Sequence, residues 1–220
     1  MASTYTFTAN SSSTIGYATY GSSTWNKGSS NGACQGAYQS TAASGSRVGV
    51  MVFTNAGTTL KGKIIQSISF SITCSAAGSS SSSKVLTFHQ AARQSIESGT
   101  KGSDMVGATL GTLTCKFYDN TTSHTLNASS NAAFFSALAA YLKAGNSALV
   151  LYNGETSSSS SYSTNYARIT SITITVTYIS AFVWYRNGST WVQCAVYYRL
   201  NGSWVQVQPY YRNGNSWVAV

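Results

Sequence analysis

The chain has 220 residues, 43% hydrophobic and 13% aromatic, which excludes intrinsic disorder and is enough to bury a sizeable core. Only 8% are charged, against about 25% in an ordinary globular protein, so surface polarity must come from Ser, Thr, Asn and Gly. The net charge of +9 reflects a scarcity of acids, and the basic residues are scattered, with Lys61 and Lys63 the nearest to a cluster outside the tail; a dense nucleic-acid footprint is excluded.

The first 180 residues read as β-structure. Apolar and polar residues alternate over 4–9, 14–20 and 47–53, and most strongly over 64–74. There Ile68, Phe70 and Ile72 take one face and Ser67, Ser69 and Ser71 the other. Further strands are predicted over 84–90, 109–117, 148–152 and 166–179, the last with Ile172, Ile174 and Val176 opposite Thr173, Thr175 and Thr177. Serine-rich stretches at 76–83 and 156–163 read as loops. A helix is predicted over 132–144, with Asn131 as its cap and Gly145 as its left-handed exit. Its apolar stripe of Phe134, Phe135, Leu138, Tyr141 and Leu142 should cover an open end of a β-sandwich. The pattern predicts an all-β fold: a jelly-roll-like antiparallel sandwich with one short helix over residues 1–180.

Residues 181–220 repeat themselves. Trp191, Trp204 and Trp217 stand thirteen positions apart, and Tyr185, Tyr198, Tyr211 and Arg186, Arg199, Arg212 keep the same step. A fixed period means copies of one small unit, none of which buries its apolar side alone. Asn-Gly between aromatic and β-branched residues signals a hairpin, so reversals are predicted at Asn187-Gly188, Asn201-Gly202 and Asn213-Gly214. The intervening runs, 191–199 and 204–212, would alternate faces. In the first run Val192, Cys194, Val196 and Tyr198 form the expected core face, and Trp191, Gln193, Ala195, Tyr197 and Arg199 the other. Pro209 should mark an edge or a break. Trp184, Tyr185, Arg186, Trp191, Tyr197, Arg199, Trp204, Tyr210, Arg212 and Trp217 together form a candidate interface or glycan platform. Their aromatics would pack against a neighbouring domain or a second subunit, or lie under sugar rings while Gln and Arg bond the hydroxyls.

Little points to catalysis. General acid–base work needs paired titratable groups, and the inventory is Glu97, Asp104, Asp119, Glu155, His89 and His124, with no two acids close in sequence. Gly28-Ser29-Ser30-Asn31-Gly32 fits G-x-S-x-G, but no apolar strand enters it and no helix is predicted after it. The segment 119–124 reads as a solvated turn, and His89 as a satisfied, half-buried imidazole. Cys34, Cys74, Cys115 and Cys194 lack a C-x-x-C pair and read as four buried thiols; two disulfides would have three connectivities. No catalytic, cofactor or metal residue is expected, and the chain reads as a non-enzyme.

The tail, residues 182–220, resembles the short Trp/Tyr/Asn-Gly β-repeats at the C-termini of bacteriophage tail-fibre and other virion appendage proteins. Residues 45–179 resemble the jelly-roll modules of cell-surface and phage structural proteins that look like carbohydrate-binding domains. These resemblances imply a structural or adhesion protein of a virion or extracellular appendage, oligomerising through its repeats, with a trimer favoured, or joining other virion subunits, and contacting host surface glycans. A free carbohydrate-binding module and a capsid-decorating or polymer-forming subunit are the alternatives. The start Met1-Ala2-Ser3-Thr4-Tyr5-Thr6-Phe7 has no signal-peptide character and no apolar run approaches a membrane span. The expectation is cytoplasmic synthesis, export by assembly or lysis, and no membrane insertion.

Overall fold

The computed structural model describes residues 2–38, 45–74, 83–116, 122–155, 166–179, 182–207, 210–214 and 216–219. The loop expected at 76–83 (save Ser83), the loop at 156–163, the start of the expected turn at 119–124 and the break at Pro209 lie outside these residues.

The N-terminal strands are β1 (Ala2–Ala9), β2 (Ile15–Thr19), β3 (Asn26–Lys27), β4 (Ala33–Tyr38) and β5 (Gly45–Val52). Helix α1 (Ala56–Leu60) leads into β6 (Ile64–Cys74), β7 (Ser83–Ala91), a 3₁₀ turn (Gly102–Met105), β8 (Val106–Lys116) and β9 (Thr122–Leu126). Helix α2 (Ala132–Lys143), β10 (Ala148–Leu151) and β11 (Ala167–Ile179) complete the body. The C-terminal strands are β12 (Phe182–Asn187), β13 (Thr190–Ala195), β14 (Tyr197–Leu200), β15 (Ser203–Gln206), β16 (Tyr210–Asn213) and β17 (Ser216–Ala219).

The body is an antiparallel all-β sandwich, as the alternation predicts. Its strands run in the order β8-β7-β10-β5-β4-β11-β6-β9, with β1 added to β11, and β2, carrying β3, added to β5. The two halves meet at β4. Residues 33–35 of that strand pair with β11 and residues 36–38 with β5. Gly36 sits where the partner changes, with φ of 84°, a conformation that an L side chain resists. The halves face each other through their rings: Phe70 of β6 and Phe88 of β7 have centroids 5.4 Å apart.

Strand β11 organises one half. Ile172, Ile174 and Val176 are fully buried, and the intervening threonines are half-exposed. The step from Ile169 to Ile172 spans two polar residues instead of one, and the register with β6 slips there. The slip is a β-bulge, which returns the next isoleucine to the core side. On the outer side Thr6 and Thr8 meet Thr175 and Thr173 at 3.1 and 2.9 Å, cross-strand hydroxyl pairs that tie edge strand β1 to the body.

Helix α2 buries the predicted stripe, Phe134, Phe135, Leu138, Tyr141 and Leu142. Phe134 lies 6.1 Å from Phe70 and 5.6 Å from Phe88, so its ring fills the end of the layer between the two halves. The Tyr141 hydroxyl donates to Ala148 O at 2.8 Å and accepts from Ala91 N at 3.0 Å, joining helix to sheet. Gly145 provides the left-handed exit, with φ of 100°. Asn131 differs from expectation, because its side chain makes no capping bond. Asn127 Oδ1 instead accepts Ser129 N and Ser130 N, building an Asx turn ahead of the helix.

Neither the five-residue α1 nor the short β3 has a signal in the sequence. Helix α1 buries Ala56, Gly57 and Leu60 through tertiary packing, and a single turn leaves no helical periodicity to read.

Candidate functional site

The repeats form three two-stranded antiparallel sheets, β12-β13, β14-β15 and β16-β17. Each uses the same register: Arg186 is paired with Trp191, Arg199 with Trp204, and Arg212 with Trp217. Two pairs further from the turn stand Trp184 and Gln193, Tyr197 and Gln206, and Tyr210 and Ala219. Paired positions, and positions two apart on a strand, share a face. Nine of the ten candidate platform residues therefore occupy one repeated register set.

The tenth does not. Tyr185 is paired with Val192, one position out of phase with Trp184 and Arg186, so its place is with the opposite set. It shares that set with Tyr198, which is paired with Val205 in the second hairpin.

The turns also differ from expectation. In the second hairpin Leu200 pairs with Ser203, leaving Asn201-Gly202 as the loop, with φ of 48° and 84°. Two positive φ values are the primed turn that Asn-Gly favours. In the first hairpin Asn187 is itself paired, with Thr190, and the loop is Gly188-Ser189. Asn213 likewise pairs with Ser216. The shift by one residue lets Gly188 and Gly214 take the first loop position, with φ of 62° and 61°. It also compensates for the extra residue Leu200, keeping Arg opposite Trp in all three copies. Arg186 Nε closes the first turn by donating to Gly188 O at 3.1 Å.

The second hairpin is exposed on both faces. Tyr197 is 51% and Trp204 70% exposed on one, Tyr198 45% and Leu200 47% on the other. Arg199 is exposed beside Trp204. The expectation that Tyr198 belongs to a core face is therefore corrected. A two-stranded ribbon has no second layer of its own to cover either side. The continuous runs expected over 191–199 and 204–212 are likewise divided: β13 ends at Ala195 and β14 begins at Tyr197, while β15 ends at Gln206 and β16 begins at Tyr210.

Titratable groups of the body have structural partners. His89 is half-buried, with Nδ1 3.0 Å from Gly107 O and Nε2 3.0 Å from Tyr152 O. Glu155 accepts Ala37 N at 2.6 Å and Asn153 Nδ2 at 2.9 Å. Glu97 meets Ser95 Oγ at 2.7 Å and Arg93 at 3.5 Å, and Asp104 accepts Lys101 N. From Thr122 onward the expected turn at 119–124 is strand β9, paired with β6. Its His124 Nε2 lies 3.4 Å from Cys115 Sγ, and burial pushes its imidazole below the ordinary value. Gly28 to Gly32 is a turn followed by β4. Among the described residues, no three His, Cys, Asp or Glu side chains come together as a metal site.

Cys34, Cys74 and Cys115 are buried free thiols. Desolvation raises Cys34 and Cys115 to about 12 and Cys74 to about 11; Arg168 and Arg47 partly oppose the shift at Cys34. The side chain of Cys194 lies outside the description.

One concave surface of the body had no sequence signal. It is a cleft of about 510 Å³ lined by Ser23, Thr24, Trp25, Lys27, Ser98 and Gly99. Compared with protein-family models and with curated proteins, the sequence matches none of them.

Proposed function

We propose that the chain is a non-enzymatic structural and adhesion protein of a virion or extracellular appendage. It assembles through its C-terminal hairpins, most favourably as a trimer, and contacts host surface glycans. The observation that carries this reading is the second hairpin, where Tyr197 and Trp204 on one face and Tyr198 and Leu200 on the other are all largely exposed. Isolated two-stranded ribbons are marginally stable in water, and exposed apolar groups on both faces mark a surface that meets a partner. The same Arg–Trp register recurs in three copies, a repetition that suits self-association by symmetry. The tail's resemblance to virion appendage repeats, and a surface poor in charge but rich in Ser and Thr, support an extracellular working place.

Light scattering on the full chain tests assembly, and a glycan array with wild type and Trp204→Ala tests adhesion. The reading expects an oligomer, together with glycan binding. A wild-type monomer that binds a glycan would support the free carbohydrate-binding module instead. An oligomer that binds no glycan would support a decorating or polymer-forming subunit.

A further inference from the structure

We infer that the cleft at Trp25 is a saccharide subsite that accepts a pyranose bearing an anionic substituent, a carboxylate or a phosphate. The inference rests on the glycan-contact part of the proposed function and locates that contact on the body, away from the repeats.

The cleft is built from two segments far apart in sequence and fastened together. Gly102 N donates to Ser22 O at 3.0 Å and Ser103 N to Tyr20 O at 2.7 Å. The Trp25 indole Nε1 donates to Thr100 O at 2.8 Å, and Lys27 Nζ to Ile96 O at 3.0 Å. These bonds fix both walls before any ligand arrives, which lowers the ordering cost of binding.

Trp25 is half-buried and packs against the smaller core cluster that includes Val48, Val50, Met105 and Val150. Part of the indole is thus anchored in the core, and part faces the 510 Å³ cleft. An aromatic ring with its N–H already bonded offers an apolar face, which complements the C–H face of a pyranose. The remaining walls are polar. Ser23, Thr24 and Ser98 bring hydroxyls, each both donor and acceptor, suited to sugar hydroxyls.

Charge sets the class of sugar. Lys27 is exposed, and its ammonium carries three donors, of which Ile96 O takes one. The others remain for a ligand. None of the six lining residues is acidic, so an anion entering the cleft meets a cation and no repelling carboxylate from its walls.

Titration calorimetry on the full chain tests this, with galacturonic acid tetrasaccharide as the anionic probe and galactose tetrasaccharide as the neutral one. The inference expects the anionic probe to bind at least 10-fold more tightly than the neutral one. Lys27→Gln should abolish that preference, and Trp25→Ala should weaken both probes at least 10-fold. Because Trp25→Ala also removes core packing, Ser98→Trp, which fills the cleft from an exposed position, supplies a second variant and should block both probes. Binding lost in Trp204→Ala but intact in Ser98→Trp would overturn the subsite while leaving glycan contact through the tail in place. Absence of binding by either probe would overturn the subsite as well; the oligomeric state, read separately by light scattering, would still report on assembly.

Discussion

Arg199 and Trp204 stand directly opposite each other across the β14-β15 ribbon, two residues from the ends of an Asn-Gly loop. Arg186 with Trp191 and Arg212 with Trp217 repeat the relationship, although the first and third loops begin on glycine instead of asparagine. What the thirteen-residue period preserves is the cross-strand pair. The turn sequence adjusts around it.

The loop makes one prediction. Gly202 has φ of 84°, and a Cβ there would meet no neighbour. Gly202→Ala should therefore act through backbone strain alone, about 1–2 kcal/mol for an L residue in this region. Amide exchange across β14 and β15 should speed up roughly 5- to 30-fold. The thermal transition of the body should stay unchanged.

The packing of helix α2 makes a second. A Cβ added at Gly111 of β8 would land on the Phe134 ring, so the helix sits where it does because that position lacks a side chain. Gly111→Ala is expected to destabilise the body by about 1–3 kcal/mol through overpacking. Thermal denaturation should show Tm falling by about 2–12 °C.

A third concerns pH. Burial lowers the folded pKa of His124 below its ordinary value of 6.5, so the unfolded chain binds the proton more readily. The stability linked to this group is fully present above the unfolded pKa. It is lost as pH falls from there toward the folded value. Urea midpoints measured from pH 7.5 to 5 should decrease, and His124→Gln should flatten that decrease. An unchanged slope in the variant would assign the pH dependence to other groups.

A fourth concerns the thiols. Burial holds Cys34 and Cys115 at about 12 and Cys74 at about 11, and the thiolate is the reactive form. At pH 8 a chromogenic disulfide reagent should leave these three unmodified in the native protein and label them after denaturation. Rapid native labelling of Cys115 would mean that its contact with His124 activates it.

Much of the body is legible in the sequence because the long strands β6 and β11 bury one face, whereas β5 and β10 are buried on both. In β6 and β11 the alternation of Ile, Phe and Val with Ser and Thr maps onto the burial pattern residue by residue. Even the bulge is written there, as the doubled polar step Thr170-Ser171 between two isoleucines. Strand order is not legible, since β1 pairs with β11 across most of the body and no local pattern encodes that pairing.

The hairpins are legible in the sequence, but the positions of two of their loops are not. Asn-Gly correctly announced three reversals, but Asn187 and Asn213 are strand residues, because a glycine in first place serves the same turn. Tyr185 is paired with Val192, one position out of register with the other nine candidate residues, a difference that the thirteen-residue period does not display. Trp25 lies in a Ser/Thr-rich stretch without periodicity, and the wall that makes it a cleft comes from residues 98–100. Only the folded chain brings those segments together. His124, read in a turn, is strand because its pairing partner Phe70 lies in β6, outside any local window.

Sedimentation of the full chain beside a variant carrying Trp191→Ala, Trp204→Ala and Trp217→Ala tests whether the hairpins drive assembly. The expected result is a wild-type oligomer, with a trimer favoured, and a monomeric variant whose body melts at the wild-type temperature. A wild-type monomer, or a variant that keeps the wild-type stoichiometry, would contradict assembly through the hairpins.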